Sequence, residues 1–219
     1  MLDKILTIAT PTYGMVTPEW AQALRTMEIP FKNYEFLVTK NMLVDEARNY
    51  LVSVAKGDYI FFLDSDVICP NNIITKLLEH DKDIVTGLYF QKGRFYPNIF
   101  KESDAPGRYD VKAFYEPNKL IEVASSGLGC CLIKKDVFSN IGSQEPGKEV
   151  PWFHFTTGYG REQRESEDHY FFRKAREIGY KIYCDTSMTC GHMRWDMITE
   201  QYWLSMKEEL FPANKPIVN

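Results

Sequence analysis

The sequence lacks the features that mark several large classes of protein. No apolar run reaches the length needed to cross a bilayer, and the N-terminus does not have the layout of a signal peptide. The net charge is -4, and no basic patch is interleaved with aromatic residues, so nothing indicates binding to nucleic acid. We therefore expect a soluble, cytoplasmic protein with no transmembrane segment.

The cysteines also lack the spacing of a paired metal-binding knuckle. The chain has five cysteines, which is an odd number and argues against a disulfide framework. Reduced, mostly buried thiols are expected. Cys130 and Cys131 are adjacent in a predicted strand, so their side chains should point to opposite faces of a sheet.

The rest of the composition is typical of one globular domain. The chain has 219 residues, of which 44% are hydrophobic and 26% charged, and it shows no internal repeat or disordered tract. This length can bury a substantial core. We expect a single domain over residues 1–219.

The first 90 residues alternate between strand and helix patterns. Strands are predicted at 5–9, 34–38, 59–63 and 83–87, and helices at 17–27, 43–55 and 71–78. Beyond them we predict strands at 121–124, 130–133 and 180–184, and helices at 135–141, 167–178 and 196–210. Strands separated by helices of this length predict an α/β fold with a doubly wound, mostly parallel sheet.

The most informative segment is an apolar strand that ends in two carboxylates. Residues 59–63 read Tyr-Ile-Phe-Phe-Leu and run directly into Asp64-Ser65-Asp66. The acidic end should lie at the carboxyl edge of the sheet, where open α/β folds bind ligands. Two neighbouring carboxylates repel each other unless a cation lies between them, and oxygen ligands suit Mg²⁺ or Mn²⁺. The alternative is that Asp64 caps a turn and Asp66 is only solvated.

Several motifs, in order along the chain, resemble the GT-A fold glycosyltransferases, and in particular the glycosyltransferase family 2-like branch. The resemblance extends from about residue 5 to about residue 192 and is carried by the segments Thr7-Ile8-Ala9-Thr10-Pro11-Thr12, Ala47-Arg48-Asn49, Gly57 to Asp66, Gly127-Leu128-Gly129, Ser166-Glu167-Asp168 and Cys190-Gly191-His192. It implies a nucleotide-sugar-binding half over about 1–100, an acceptor and catalytic half over about 101–195, and a C-terminal helix over about 196–219.

The resemblance implies a nucleoside-diphosphate sugar, UDP- or GDP-linked, as the donor. Asp64-Ser65-Asp66 is similar to the DxD motif of the family, and His192 resembles its additional metal ligand, so Asp64, Asp66 and His192 would hold Mn²⁺ or Mg²⁺. Arg48 would lie near the base or the diphosphate, although a helix-surface arginine is the alternative. The residues that the resemblance assigns to the donor are Thr10, Pro11, Thr12, Arg48, Asp64, Ser65, Gly127 and Gly129.

Glu167-Asp168 is similar to the ED motif of the family. In inverting members the aspartate is the general base, so the resemblance implies that Asp168 deprotonates the acceptor hydroxyl, with Glu167 beside it. Capping of the helix N-terminus is the alternative explanation for both carboxylates. Neither the stereochemistry nor the acceptor, a carbohydrate or another hydroxyl compound, is indicated by the sequence.

Two other functions compete with a glycosyltransferase. Asp64-Ser65-Asp66-Val67 also resembles the signature of haloacid dehalogenase-like phosphatases, but that fold places the motif on the first strand. A non-catalytic module that binds nucleotide sugars or carbohydrate is the other alternative. Aromatic residues in the predicted loops of the second half could stack on sugar rings or pack as a small core, and the segments 152–160 and beyond His192 could close over a donor.

Overall fold

A computed structural model describes residues 1–93, 95–104, 108–143, 151–156 and 165–194. Its centre is a seven-stranded sheet in the order β2-β1-β3-β10-β5-β11-β8. The strands of this sheet are β1 (Leu2–Thr12), β2 (Phe31–Lys40), β3 (Tyr59–Leu63), β5 (Ile84–Leu88), β8 (Leu120–Val123), β10 (Cys130–Lys134) and β11 (Ile182–Thr189). Five of the seven strands run in one direction, whereas β8 and β10 run against them.

Five helices cover the two faces of this sheet in the described part of the chain. They are α1 (Pro18–Arg25), α2 (Val44–Val54), α3 (Ile73–Glu79), α4 (Lys135–Ser143) and α5 (Glu167–Glu177). Residues of α2, α4 and α5 pack into one hydrophobic core, and residues of α1 and α3 pack into a second core on the opposite face. None of the described helices is long and apolar enough to cross a membrane.

Helix α1 shows how the sequence sets a local boundary. Thr17 is the N-cap, and its hydroxyl accepts a hydrogen bond from the backbone N–H of Trp20 at 3.1 Å. Pro18 opens the first turn, where a missing N–H costs nothing. The predicted start of this helix is confirmed, and it points the indole of Trp20 into the core beneath the end of β3.

Two small sheets stand at the carboxyl edge of the main sheet. In one, β4 (Val67–Ile68) pairs antiparallel with β12 (Gly191–His192). In the other, β6 (Ile99–Glu102) lies between β7 (Tyr109–Val111) and β9 (Ser125–Ser126). The β4–β12 pair brings the acidic motif close to His192, because residue 66 precedes one strand and residue 192 lies in the other.

The predicted α/β class is confirmed, and the sheet is mixed, with parallel and antiparallel pairs. Strand β3 has the predicted bounds, and all five of its residues are buried. Cys130 and Cys131 face opposite cores, and the five cysteines are free and buried, as expected. The largest differences are at β1, β2 and β11, which are longer than predicted. The predicted helix at 196–210 lies outside the described residues.

Candidate active site at the carboxyl end of strand β3

The backbone at the start of the acidic motif is fixed from three sides. The N–H of Asp64 donates to the carbonyl of Gly129 at 3.0 Å, and the carbonyl of Asp64 accepts from the indole N–H of Trp20 at 2.9 Å. The N–H of Val67 donates to the same carbonyl at 3.1 Å and closes a turn over the motif. These bonds satisfy the backbone where β3 ends, so the two carboxylates leave a rigid frame in different directions.

One carboxylate of the motif belongs to a group of charges around a buried arginine, the arginine cluster, made of Arg48, Asp64 and Glu167, in which the side chain of Asp64 is 25% exposed. Arg48 is only 3% exposed, although it lies on helix α2. Its Nη2 donates to Oδ1 and Oδ2 of Asp64 at 2.9 and 3.2 Å, and its Nη1 donates to Oε1 of Glu167. One guanidinium thus bridges the DxD-like motif and the ED-like motif, which are a hundred residues apart in sequence.

Burial controls the proton affinity of the arginine cluster. Burial and the neighbouring charge of Asp168 raise the pKa of Glu167 to about 7, although Arg48 opposes that shift. Burial also raises the pKa of Asp64, again against the attraction of Arg48. Burial alone would lower the pKa of Arg48, but the surrounding carboxylates raise it above its usual range. The single cation of Arg48 therefore stabilises the charged form of two carboxylates, against the effect of their burial.

The other carboxylate of the motif lies in a half-open group, the cation site, made of Asp66, His192 and Lys92. The Nε2 atom of His192 is 3.5 Å from Oδ1 of Asp66, and the ammonium of Lys92 contacts Oδ2. The side chains of Asp66 and Lys92 are 38% and 37% exposed. Burial alone would raise the pKa of Asp66, but the hydrogen bonds from His192 and Lys92 lower it to about 2.

The cation site fits a divalent metal ion in one specific respect. The Nδ1 atom of His192 is 2.7 Å from the backbone carbonyl of Phe90, and this carbonyl can only accept, so Nδ1 carries the proton. The ring atom that faces Asp66, and that can serve as a metal ligand, is then Nε2. A backbone carbonyl that accepts the other ring N–H is a usual support of a metal-binding histidine. Asp64, which is already paired with Arg48, is less free to serve as a ligand than Asp66.

Asp168 occupies the first turn of α5, beside the arginine cluster. Its Oδ1 accepts hydrogen bonds from the hydroxyl of Ser166 and, at 2.8 Å, from the backbone N–H of His169. The side chain is half-buried, and its charge acts on Arg48 and Asp64. Capping of the helix therefore accounts for one oxygen of Asp168, and its position beside the arginine cluster puts it at the edge of the site.

A shallow cavity of about 110 Å³ opens beside the motif. It is lined by residues from three segments of the first 66 residues: Pro11, Thr12, Tyr13, Met42, Val44, Asp64, Ser65 and Asp66. Thr10 lies just outside it, fully buried in the core of the sheet. A larger depression of about 550 Å³, lined among others by Glu102 and Arg173, contains none of the motif residues.

Gly127 and Gly129 make room for side chains of the chain itself. A Cβ atom at residue 127 would lie 2.0 Å from both Asn98 Nδ2 and Tyr89 Oη, and one at residue 129 would lie 3.0 Å from Asp64 Oδ2. The N–H of Gly129 donates to the Tyr89 hydroxyl at 2.9 Å. The two glycines thus let Tyr89 reach under the motif, a close approach that leaves no space there for a Cβ.

The histidines away from the motif differ from the sequence interpretation. The sequence predicts helix-surface positions for His80 and His169. His169 is instead half-buried, with Nδ1 2.6 Å from the hydroxyl of Ser125 and its ring stacked on Tyr109 at 4.4 Å between centroids. His80 pairs with Asp185 at 2.7 Å. Both contacts join residues distant in sequence, so no local pattern could have revealed them.

The aromatic residues of the second half divide between core and surface. Phe153 is fully buried and stacks on Phe171, and its backbone N–H and carbonyl bind the Asn49 side chain. Several others remain exposed: Phe95, Tyr96, Phe114 and Phe155. The segment 152–160 therefore begins as packed core, and its last four residues lie outside the described part of the chain.

A family model described as glycosyl transferase family 2 matches residues 17–142, more than half of the chain and including the whole arginine-bearing helix and the acidic motif. The chain belongs to glycosyl transferase family 2. It is accordingly a glycosyltransferase, and the phosphatase interpretation of the acidic motif is set aside. A comparison with curated protein sequences finds no significant match.

Solved structures agree with this family fold. A197 from STIV is 20% identical, with a TM-score of 0.58 over 88% of this chain and 86% of that one. GalNAc-T7, solved with UDP, GalNAc and Mn²⁺, is 11% identical, with a TM-score of 0.58 over 88% of this chain and 44% of that one. At these identities the likeness concerns the GT-A fold, which the family 2 chain shares with them.

The structure adds three residues to the site of this family 2 chain that sequence reasoning missed. Lys92 contacts the acidic motif, Tyr89 supports it from below, and Trp20 holds its backbone. Lys92 stands in a stretch without periodicity, so no pattern singled it out. Trp20 had a helical pattern that predicted core packing, but not the indole hydrogen bond. The place of Arg48 near the donor stays a prediction, and the structure adds that its guanidinium binds Asp64 and Glu167.

Proposed function

We propose that the protein transfers a sugar from a nucleoside-diphosphate sugar, UDP- or GDP-linked, to an acceptor hydroxyl, with the help of Mn²⁺ or Mg²⁺. The observation that carries the proposal is the pairing of Asp66 with a histidine whose Nδ1 is held by a backbone carbonyl, beside a cavity at the end of β3. The solved GalNAc-T7 complex, which contains UDP and Mn²⁺, supports the same class of donor and metal.

In this proposal the cation site binds the metal and the diphosphate. Asp66 and the Nε2 atom of His192 are the protein ligands, and Asp64 remains the neutralised neighbour that Arg48 holds in place. When bound, the metal ion stabilises the negative charge on the leaving nucleoside diphosphate. A carboxylate and a neutral imidazole together suit Mn²⁺ better than Mg²⁺.

Lys92 takes part in the same event. Its ammonium now neutralises Asp66, and a divalent ion on that carboxylate would repel it. A flexible lysine released from Asp66 can pair with phosphate oxygens instead, so its charge is still used once the donor is bound. Lys92 therefore links the free and the donor-bound states of the site.

Asp168 is the proposed general base, and the cavity lined by Pro11, Thr12 and Ser65 is the proposed place for the nucleotide. A base must reach the acceptor hydroxyl, and Asp168 is a half-buried carboxylate at the edge of the site whose Oδ2 has no hydrogen bond to a described residue. Glu167 lies behind it and holds Arg48. The two members of the ED pair thus divide into one reactive and one positioning carboxylate.

Turnover of a panel of sugar nucleotides tests the proposal. UDP- and GDP-linked sugars would be incubated with the protein and Mn²⁺, Mg²⁺ or a chelator, and release of nucleoside diphosphate would be followed with and without candidate hydroxyl acceptors. We expect release from one class of donor, dependent on the metal and stimulated by an acceptor. Binding of a nucleotide without any turnover would favour the non-catalytic binding module instead.

A further inference from the structure

Three of the five cysteines form a cluster behind the cation site. The Sγ atoms of Cys69, Cys130 and Cys190 all lie within 4.8 Å of one another. The three residues are 5%, 0% and 3% exposed, and none is in a disulfide. They are separated by more than fifty residues in sequence, so the fold alone assembles them.

Each cysteine comes from a different structural segment. Cys69 follows strand β4, Cys130 opens strand β10, and Cys190 lies between β11 and β12. Since residue 68 pairs with residue 191 across the β4–β12 ladder, residues 69 and 190 take the next opposed positions. The third sulfur arrives from the main sheet and faces this pair.

A glycine on the neighbouring strand makes room for the cluster. A Cβ atom at Gly87 would lie 2.8 Å from the sulfur of Cys130 and 3.2 Å from the carbonyl oxygen of Met188. The sulfur of Cys190 is 3.9 Å from the same carbonyl. The small space kept open by the glycine is therefore bordered by the sulfur of Cys130, a methyl group of Ile73 and the backbone oxygen of Met188.

We propose that this thiol cluster binds a thiophilic divalent cation of the zinc class, held by the sulfurs of Cys69, Cys130 and Cys190. Thiolates select such ions, and a zinc–sulfur bond of about 2.3 Å places tetrahedral sulfur ligands about 3.8 Å apart. The cluster needs only a small contraction to reach that spacing. The carbonyl oxygen of Met188, 3.9 Å from the sulfur of Cys190, is the candidate for a fourth ligand.

The geometry favours a metal over a disulfide. A disulfide would use two sulfurs and leave the third without a function, whereas a cation uses all three. The space beside Gly87 serves the sulfur of Cys130, which a bond between Cys69 and Cys190 would not require. A buried cluster is also poorly accessible to an oxidant.

Such a cation would fasten the strands that carry the cation site. Cys69 lies three residues after Asp66, and Cys190 lies two residues before His192. A bound ion would fix the separation of β4 and β12, and with it the separation of the carboxylate and the imidazole. This role is structural, so it does not depend on which donor or acceptor the protein uses.

Binding of Co²⁺ to the reduced, folded protein tests the proposal, because Co²⁺ bound to thiolates gives an intense near-ultraviolet charge-transfer band. We expect one Co²⁺ per chain with this band, displacement by one Zn²⁺, and a higher melting temperature with either ion. Cys130→Ser should abolish the band. Cys131→Ser and Cys184→Ser, which remove buried cysteines outside the cluster, should retain it.

Further variants separate the cluster from the cation site and from misfolding. His192→Ala removes a proposed ligand of the catalytic metal and should leave the charge-transfer band intact. Cys69→Ser and Cys190→Ser should each weaken the band, and circular dichroism would check that each variant is folded. A folded, reduced wild-type protein that gives no thiolate band overturns the proposal, and so does a band that persists in Cys130→Ser. Loss of two thiols to a mild oxidant without any metal binding would assign the cluster to a disulfide instead.

Discussion

The carboxylates of Asp64 and Asp66 are two residues apart in sequence, but each pairs with a different kind of cation. Asp64 is 25% exposed and belongs to the arginine cluster, where its partner Arg48 is only 3% exposed and also binds Glu167. Asp66 belongs to the cation site. Its carboxylate is 38% exposed and contacts the flexible side chain of Lys92. The buried side has a fixed counter-charge, whereas the open side has one that can be exchanged.

We interpret this difference as a separation of a structural role from a ligand-binding role. A buried cation paired with two carboxylates is costly to disrupt, because removal of one partner leaves uncompensated charge in the interior. An exposed pair contributes little to stability and can be replaced by a bound ion. We infer that the arginine cluster positions the motif and that the cation site binds the ligand.

The largest expected effect is loss of stability when Arg48 is replaced. Arg48→Met keeps the aliphatic stem but leaves Asp64 and Glu167 without their cation, and we expect the free energy of unfolding to fall by about 3 kcal/mol. Urea denaturation would measure it. Lys181→Met is the matched control, because its ion pair with Glu122 is exposed, and it should change the midpoint very little.

A double variant sharpens this test. Arg48→Met combined with Glu167→Gln removes one of the two stranded carboxylates, so it should recover part of the lost stability. A single Arg48→Met that unfolds at the same urea concentration as the Lys181→Met control would contradict the distinction between the two sides of the site.

The next largest effect is expected on the rate of transfer when Asp168 is replaced. Asp168→Asn keeps the shape and the helix cap but removes basicity, so we expect kcat for transfer to fall by roughly two powers of ten or more. The KM for the donor should stay nearly constant. Steady-state kinetics would show it, with Asp110→Asn, an exposed carboxylate on β7, as the control. A near-normal kcat would reject the base role and favour a capping role alone.

The buried carboxyl group of Glu167 should make the stability of the protein depend on pH. Its pKa is raised to about 7 in the folded protein, so between the unfolded value near 4.5 and pH 7 the folded state keeps a proton that the unfolded state releases. Stability should therefore fall as pH rises through this interval, by a loss on the order of 2 kcal/mol. Thermal melts of the wild type and of Glu167→Gln between pH 4.5 and 8 would reveal it. A parallel pH dependence in the two proteins would contradict the assignment.

The smallest expected effect is on the open side. Lys92→Met removes the ammonium that competes for Asp66, and we expect Mn²⁺ to bind about two- to fivefold more tightly in the absence of nucleotide. The signal of free Mn²⁺ in electron paramagnetic resonance would measure this affinity. Lys101→Met, an exposed lysine on β6, is the control. Weaker Mn²⁺ binding by Lys92→Met would mean that the lysine supports the ion rather than competes with it.

The sequence predicted the parts of the fold that depend on local patterns. The bounds of β3, the N-cap at Thr17 and the α/β class follow from apolar runs and turn residues. The antiparallel insertion of β10 between β3 and β5 depends on long-range pairing, which no local pattern reveals. The same limit applies to the bond between Arg48 and Glu167.

For the site, the sequence predicted which residues lie close together, but not which of them belong to the arginine cluster and which to the cation site. Motif order placed Asp64, Asp66, Asp168 and His192 at one edge of the sheet, and the structure gathers them there. It could not indicate that Asp64 is occupied by Arg48, since that depends on the direction of a buried guanidinium. The roles assigned to these residues in binding and catalysis stay predictions.

The central claim is that Asp66 and His192 hold a divalent ion on which nucleotide binding depends. Isothermal titration of UDP and GDP into the protein, with and without Mn²⁺, tests it most directly in the wild type, Asp66→Ala, His192→Ala and a control, His154→Ala. We predict that the wild type and the control bind one nucleotide only with Mn²⁺ and that both site variants lose this binding. Unchanged affinity and unchanged Mn²⁺ dependence in Asp66→Ala and His192→Ala would contradict the account.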